Sequence, residues 1–119
     1  MAVKAFIEIP TKGIRSGDLF GEWELENSDE GAALICPRYS DKSVQIFGEF
    51  DGATVKLVAT NDKTLQNWQD AYDYEGVTIS QTADRKPWVI LPNVYAIKPI
   101  IENPGPNTSV TVAVVAKGA

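Results

Sequence analysis

The sequence predicts an all-β domain, a single antiparallel β-sandwich or jelly roll, on three observations. Short runs of period-two hydrophobicity recur along the chain, turn signals separate them every 8–12 residues or so, and no amphipathic helix longer than two turns can be drawn. The cleanest turn-and-strand unit is Phe50–Trp68 (FDGATVKLVATNDKTLQNW). Asp51-Gly52 is a tight-turn dipeptide. In Ala53–Thr60, Val55, Leu57 and Ala59 then alternate with Thr54, Lys56 and Thr60, and only Val58 breaks the pattern. Asn61-Asp62 turns the chain away, and Trp68 is expected to cover the core. This unit reads as the central hairpin of the sandwich.

The other elements follow in order. Val3–Ile9 reads as a strand with Val3, Ala5, Ile7 and Ile9 on one face and Phe6 on the other; an arm over residues 1–12 fits as well. Pro10 ends it, since proline cannot donate to a ladder. Thr11–Gly17 is a turn-rich connection. Leu19–Glu26 places Glu22, Glu24 and Glu26 on one face and Trp23 and Leu25 on the other. Asn27–Gly31 is a turn and Ala32–Cys36 a short apolar run, together suggesting a hairpin with an acidic outer face. Ser43–Phe50 alternates Val44, Ile46, Gly48 and Phe50 with Gln45, Phe47 and Glu49. Trp68–Tyr74 fits one helical turn or a short strand. Val77–Ser80 and Pro87–Leu91 are short strands, the second stopped by Pro92-Asn93. In Val94–Ile101, Pro99 marks an edge or bulged strand. Asn103–Asn107 is a turn, and Ser109–Ala116 closes the core with Val110, Val112 and Val114. Seven to nine strands result, with no internal repeat and no linker to divide residues 1–119, so one domain is expected.

Composition narrows the function. The chain of 119 residues carries a net charge of −5, and the whole excess lies in residues 1–52, where ten acidic residues face five basic ones. Asp18–Glu30 holds six acidic residues and no basic one. Nucleic acids and acidic membrane surfaces need clustered Lys/Arg, so neither is an expected partner. The N-terminal stretch lacks an apolar h-region, and the single cysteine, Cys36, leaves no internal disulfide; both fit a cytoplasm-type compartment.

Catalytic chemistry finds little to work with. The chain has no histidine, which removes Ser-His-Asp and Cys-His catalysis and His-bearing zinc sites. Cys36 sits in an apolar run and reads as a buried small hydrophobe. No phosphate-binding glycine loop is present. Glu22, Glu24 and Glu26 stand about 6.8 Å apart, within range for an inverting glycosidase pair, yet such a pair needs one carboxyl desolvated in a cleft. Asp18, Glu22, Asp29 and Glu30 are a conceivable calcium set, without a DxDxDG-type loop. No metal, cofactor or enzymatic activity is therefore expected. The ladder reads instead as a solvated acidic face, of which docking on a basic protein surface is a specific variant. Trp68, Tyr72 and Tyr74, in a polar stretch, form the candidate aromatic platform for a partner or a sugar.

The pattern FDGATVKLVATND…W, followed by Pro87–Leu91, Tyr95–Pro99, a turn and a valine-rich last strand, resembles small β-sandwich virion proteins of tailed bacteriophages. The likeness covers about residues 46–116; residues 1–45 add no motif, and sugar-binding and discoidin-like sandwiches share part of the pattern. The resemblance implies a structural role as a capsid decoration or cement protein. Its partners would be the major capsid protein or another virion protein, its location the virion after assembly in the host cytoplasm, and its state a dimer or trimer. It carries no catalytic residues over. The alternative is a carbohydrate-binding module using Trp68, Tyr72 and Tyr74.

Overall fold

The computed structural model describes residues 2–10, 17–91 and 93–118, and among them every regular element is a strand. The connection expected over residues 11–16 and the break at Pro92 lie outside the described residues. Two short strands, β1 (Val3–Lys4) and β2 (Ile7–Glu8), precede the eight-residue β3 (Leu19–Glu26). Then come β4 (Glu30–Gly31), β5 (Leu34–Ile35) and the long β6 (Tyr39–Glu49). After β7 (Thr54–Thr60), three two-residue strands follow: β8 (Gln69–Asp70), β9 (Tyr72–Asp73) and β10 (Ser80–Gln81). The chain ends with β11 (Trp88–Leu91), β12 (Ala96–Glu102) and β13 (Ser109–Gly118).

These strands form two sheets. Sheet A runs β1-β4-β12-β7-β10, with β5 also on β12 and β8 also on β7; sheet B runs β2-β3-β13-β6-β11-β9. All pairings are antiparallel except β1 with β4. The all-β sandwich, or jelly roll, expected from the sequence is what the chain adopts. Between the sheets lie Trp23, Leu25, Val44, Ile46, Val55, Leu57, Ile79, Ile97, Val110, Val112 and Val114, all buried, drawn from the period-two faces.

The connections differ from the sequence reading in instructive ways. Asp51-Gly52 does not close a hairpin, because β6 belongs to sheet B and β7 to sheet A. The dipeptide has positive φ at both residues (47° and 80°), and Ala53 N–H donates to Phe50 O at 2.8 Å, so the turn is as tight as expected. Thr108 Oγ1 also donates to Phe50 O, and the buried Phe50 is drawn inward, so the two strands part into separate layers. The expected β3 hairpin with Ala32–Cys36 is likewise a corner. Asn27 takes φ of 50°, the Asp29 carboxylate accepts Glu26 N–H at 3.0 Å, and β4 and β5 leave for β12 in sheet A. Burial raises the Asp29 pKa, but hydrogen bonds from the Glu26 and Ala2 amides and the Lys4 charge outweigh it and leave it lowered.

Val3–Ile9 is not one strand. Its two halves join different sheets, crossing at Phe6, whose ring meets Trp23 edge-on at 4.8 Å. A side chain at Gly21 would collide with that ring, so the glycine makes room for the arm. Pro99 is interior to sheet A rather than at an edge. It lies between the Ala96–Ile97 pairing with β5 and the Ile100 pairing with β4, at a gap where the missing N–H costs no ladder bond. Trp68–Tyr74 is extended, not helical, and carries the chain from sheet A into sheet B. Gln81 ties the sheets together again: its Nε2 donates to Ile46 O at 2.6 Å, and its Oε1 accepts Trp88 Nε1–H at 2.9 Å.

Candidate functional site

Register places the Glu22–Glu24–Glu26 ladder on the outer face of sheet B, as expected from its alternation with buried Trp23 and Leu25. The rows of that face follow from the pairing. Glu22 stands opposite Ala113 on β13, which stands opposite Gln45 on β6; Glu24 continues into Thr111 and Phe47, and Glu26 into Ser109 and Glu49. One row toward the other end, Phe20, Val115, Ser43 and Val89 lie side by side across four strands. Among the described residues no ion pair reaches Glu22, Glu24 or Glu26.

Several large apolar side chains on this face stay in water. Phe47 is 39% exposed, Val89 44% and Val115 44%, with Ile7 beside Glu22 on β2 also exposed. Phe20, Phe47, Pro87, Ala113 and Val115, with Glu22, Ser43 and Gln45, line a groove of about 330 Å³. Sequence reasoning named the ladder but not these neighbours. Their signal was present: Phe20 and Phe47 alternate in phase with glutamates, and Val115 is out of phase with Val110, Val112 and Val114.

The aromatic platform is not a unit. Trp68 lies over the outer face of sheet A, not over the core. Its ring receives Lys98 Nζ at 4.5 Å from the centroid, and its Nε1–H donates to Leu65 O at 2.9 Å. Lys98 and Val58 are opposed on that outer face, which explains why Val58 is buried although it breaks the inward pattern. Tyr72, on β9, and Tyr74 just beyond it belong to the opposite sheet and are exposed, Tyr74 at 64%. The neighbouring Glu75 charge raises the Tyr74 phenol.

The loop before Trp68 is fixed by one carboxylate. Asp62 accepts from the amides of Thr64, Gln66 and Asn67, from Thr64 Oγ1 at 2.7 Å and from Asn67 Nδ2 at 2.9 Å. Those donors, the Thr64 hydroxyl foremost, hold its pKa far below the usual carboxylate range.

The conceivable calcium set is dispersed by other partners. Asp18 accepts Gly118 N–H, Asp29 is taken by the Glu26 and Ala2 amides, Glu30 pairs with Lys98 at 3.5 Å, and Glu22 is on the outer face of sheet B. Cys36 is buried, and burial pushes its thiol pKa up. Nearby Lys42, also buried, donates Nζ–H to Tyr39 O at 3.0 Å, and desolvation lowers its pKa.

No family model matches this chain, and no curated protein matches it. Solved structures do. The SPBc2 prophage-derived protein YomS superposes with a TM-score of 0.62 at 12% identity, over 87% of this chain and 96% of that one. The cupin domain of Schizosaccharomyces pombe Cnp3 matches with a TM-score of 0.52 at 10% identity, over 96% of this chain and 60% of that chain. At such identities the likeness establishes the sandwich fold alone.

Proposed function

We propose that this chain is a non-enzymatic structural component of a phage particle, a capsid decoration or cement protein that acts through protein–protein contacts. The observation that carries the reading is the outer face of sheet B, where exposed Phe47, Val89 and Val115 lie beside a ladder of glutamates without ion pairs among the described residues. A surface of this kind gains by burial against another protein and has no evident use in catalysis. The phage assignment draws on the sequence resemblance over residues 46–116 and on the fold shared with a prophage-derived protein over nearly the whole of both chains.

The mechanism is linkage. Area buried between this protein and the shell exists only in the assembled particle, so expansion or internal pressure must break those contacts as well. The ladder supplies the electrostatic part by facing a basic patch on the major capsid protein or another virion protein. The test is co-sedimentation with purified capsids. Binding at micromolar concentration, weakened by added salt, is the expected result; protein left wholly in the supernatant removes the reading.

A further inference from the structure

The groove on sheet B has two chemistries in one place. Its walls are apolar, Phe20 and Val115 from one row and Phe47 and Pro87 on the other side, and its floor includes the small Ala113. Glu22 also lines it, half-buried, and no cation among the described residues pairs with it. Ser43 and Gln45 add oxygen acceptors along the same lining. A purely apolar occupant would desolvate the Glu22 carboxylate without compensation. An occupant that is only a point charge would leave the two phenyl rings wet.

We propose that this groove is a socket for an arginine side chain presented by a partner protein, its stem and guanidinium plane between the Phe20 and Phe47 rings and its N–H groups on Glu22. Arginine meets both demands. Its planar, weakly hydrated head stacks on aromatic faces and offers a fork of donors to a carboxylate. Lysine, a compact and strongly hydrated charge, meets only one. Glu24 and Glu26 continue from Glu22 in steps of about 6.8 Å, the spacing of alternate residues in an extended chain, so basic residues two and four positions from the arginine fall against them.

Among the described residues, a second copy of this chain offers no uncommitted arginine. Both arginines among the described residues are already engaged: Arg85 stacks on Trp88 at 3.4 Å from the ring centroid, and Arg38 lies 5.2 Å from that of Tyr39. The acidic face also repels its own kind. A foreign protein with a basic segment is the occupant that fits. That this protein belongs to a virion rests on the reading above; the socket itself does not.

The probe is N-acetyl-arginine N-methylamide, titrated into the isotopically labelled protein with backbone amide shifts as readout, beside its lysine and citrulline counterparts. Saturable shifts confined to Phe20, Glu22, Gln45, Phe47, Ala113 and Val115 are expected, at least about fivefold weaker for lysine and absent for citrulline. Glu22→Gln and Phe47→Ala should each abolish them while the remaining spectrum stays folded. Shifts spread over all acidic surfaces, or equal for citrulline, overturn the socket. The same Glu22→Gln variant is carried into capsid co-sedimentation. If wild type binds and the variant binds equally well, the socket fails and the decoration reading stands. If wild type does not bind capsids but the arginine probe saturates the groove, the decoration reading fails and the socket stands.

Discussion

The outer faces of the two sheets are made from the same alternation and have been finished differently. Over β7 and β12, the middle of sheet A, the outward residues neutralise and cover one another, while Val3 and Ile35 toward its β1 and β5 edge stay exposed. Lys56 reaches Asp70 at 2.9 Å, Lys98 reaches Glu30 at 3.5 Å and lies against Trp68, and Val58 is buried on that outer face. On sheet B the ladder glutamates have no such partners among the described residues, and Phe47, Val89 and Val115 remain in water. A face whose charges and apolar groups are satisfied internally adds to the stability of the folded chain. A face that leaves both unsatisfied gains where another molecule covers it, which is the basis of the contact proposed for sheet B.

That contrast can be broken by truncating one aromatic on each face. Trp68→Ala should cost about 2 kcal/mol in urea unfolding, through lost burial, the Lys98 contact and the Leu65 bond, whereas Phe47→Ala should cost less than about 1 kcal/mol. Equal losses would mean that the faces are not different in kind. Lys98→Ala removes a cation–π contact and a partly screened ion pair together, so a loss of about 1 kcal/mol is expected from thermal unfolding.

Asp62 gives a conformational test. Its folded pKa is depressed far below the usual aspartate range, so its contribution is complete above the unfolded pKa and is lost as pH falls through the folded pKa. Asp62→Asn should therefore speed amide exchange at Thr64, Gln66 and Asn67 at neutral pH. It should also raise binding of an apolar dye as Val58 is uncovered, making sheet A resemble sheet B; unchanged exchange would show that the carboxylate does not hold the loop. The smallest effect is reserved for the ladder. Glu22, Glu24 and Glu26 changed together to Gln should move stability by no more than about 0.5 kcal/mol, since each faces solvent or the open groove. A larger loss would mark the ladder as structural.

Much of this was legible in the sequence. β3, β7 and β13 lie where the period-two pattern places them, because one face of each is buried in a single core. The layer to which each strand belongs was not. Asp51-Gly52 and Asn27–Gly31 carry ordinary hairpin chemistry, and only Phe50 turning inward and the Asp29 carboxylate binding the Glu26 amide make them corners between sheets. Pro99 was read as an edge marker because nothing local reveals that β4 and β5 leave a gap beside it. Of the candidate site, the acidic ladder was legible from spacing alone. Apart from Phe20 on β3 itself and Ile7 on β2, its apolar neighbours come from β6, β11 and β13, distant in sequence, and they meet only through register. Trp68 shows the reverse: composition marks it as free, and Lys98, thirty residues on, occupies its ring.

The most direct test places one aspartate on each outer face and measures capsid co-sedimentation. Val115→Asp puts a charge into the sheet B groove, and Ile100→Asp puts one on sheet A beside Lys56. With both variants folded, Val115→Asp should weaken binding by about tenfold or more, equivalent to about 1.4 kcal/mol, and Ile100→Asp should leave it within about twofold. Equal effects, or a loss confined to Ile100→Asp, would contradict the assignment of sheet B as the contact face.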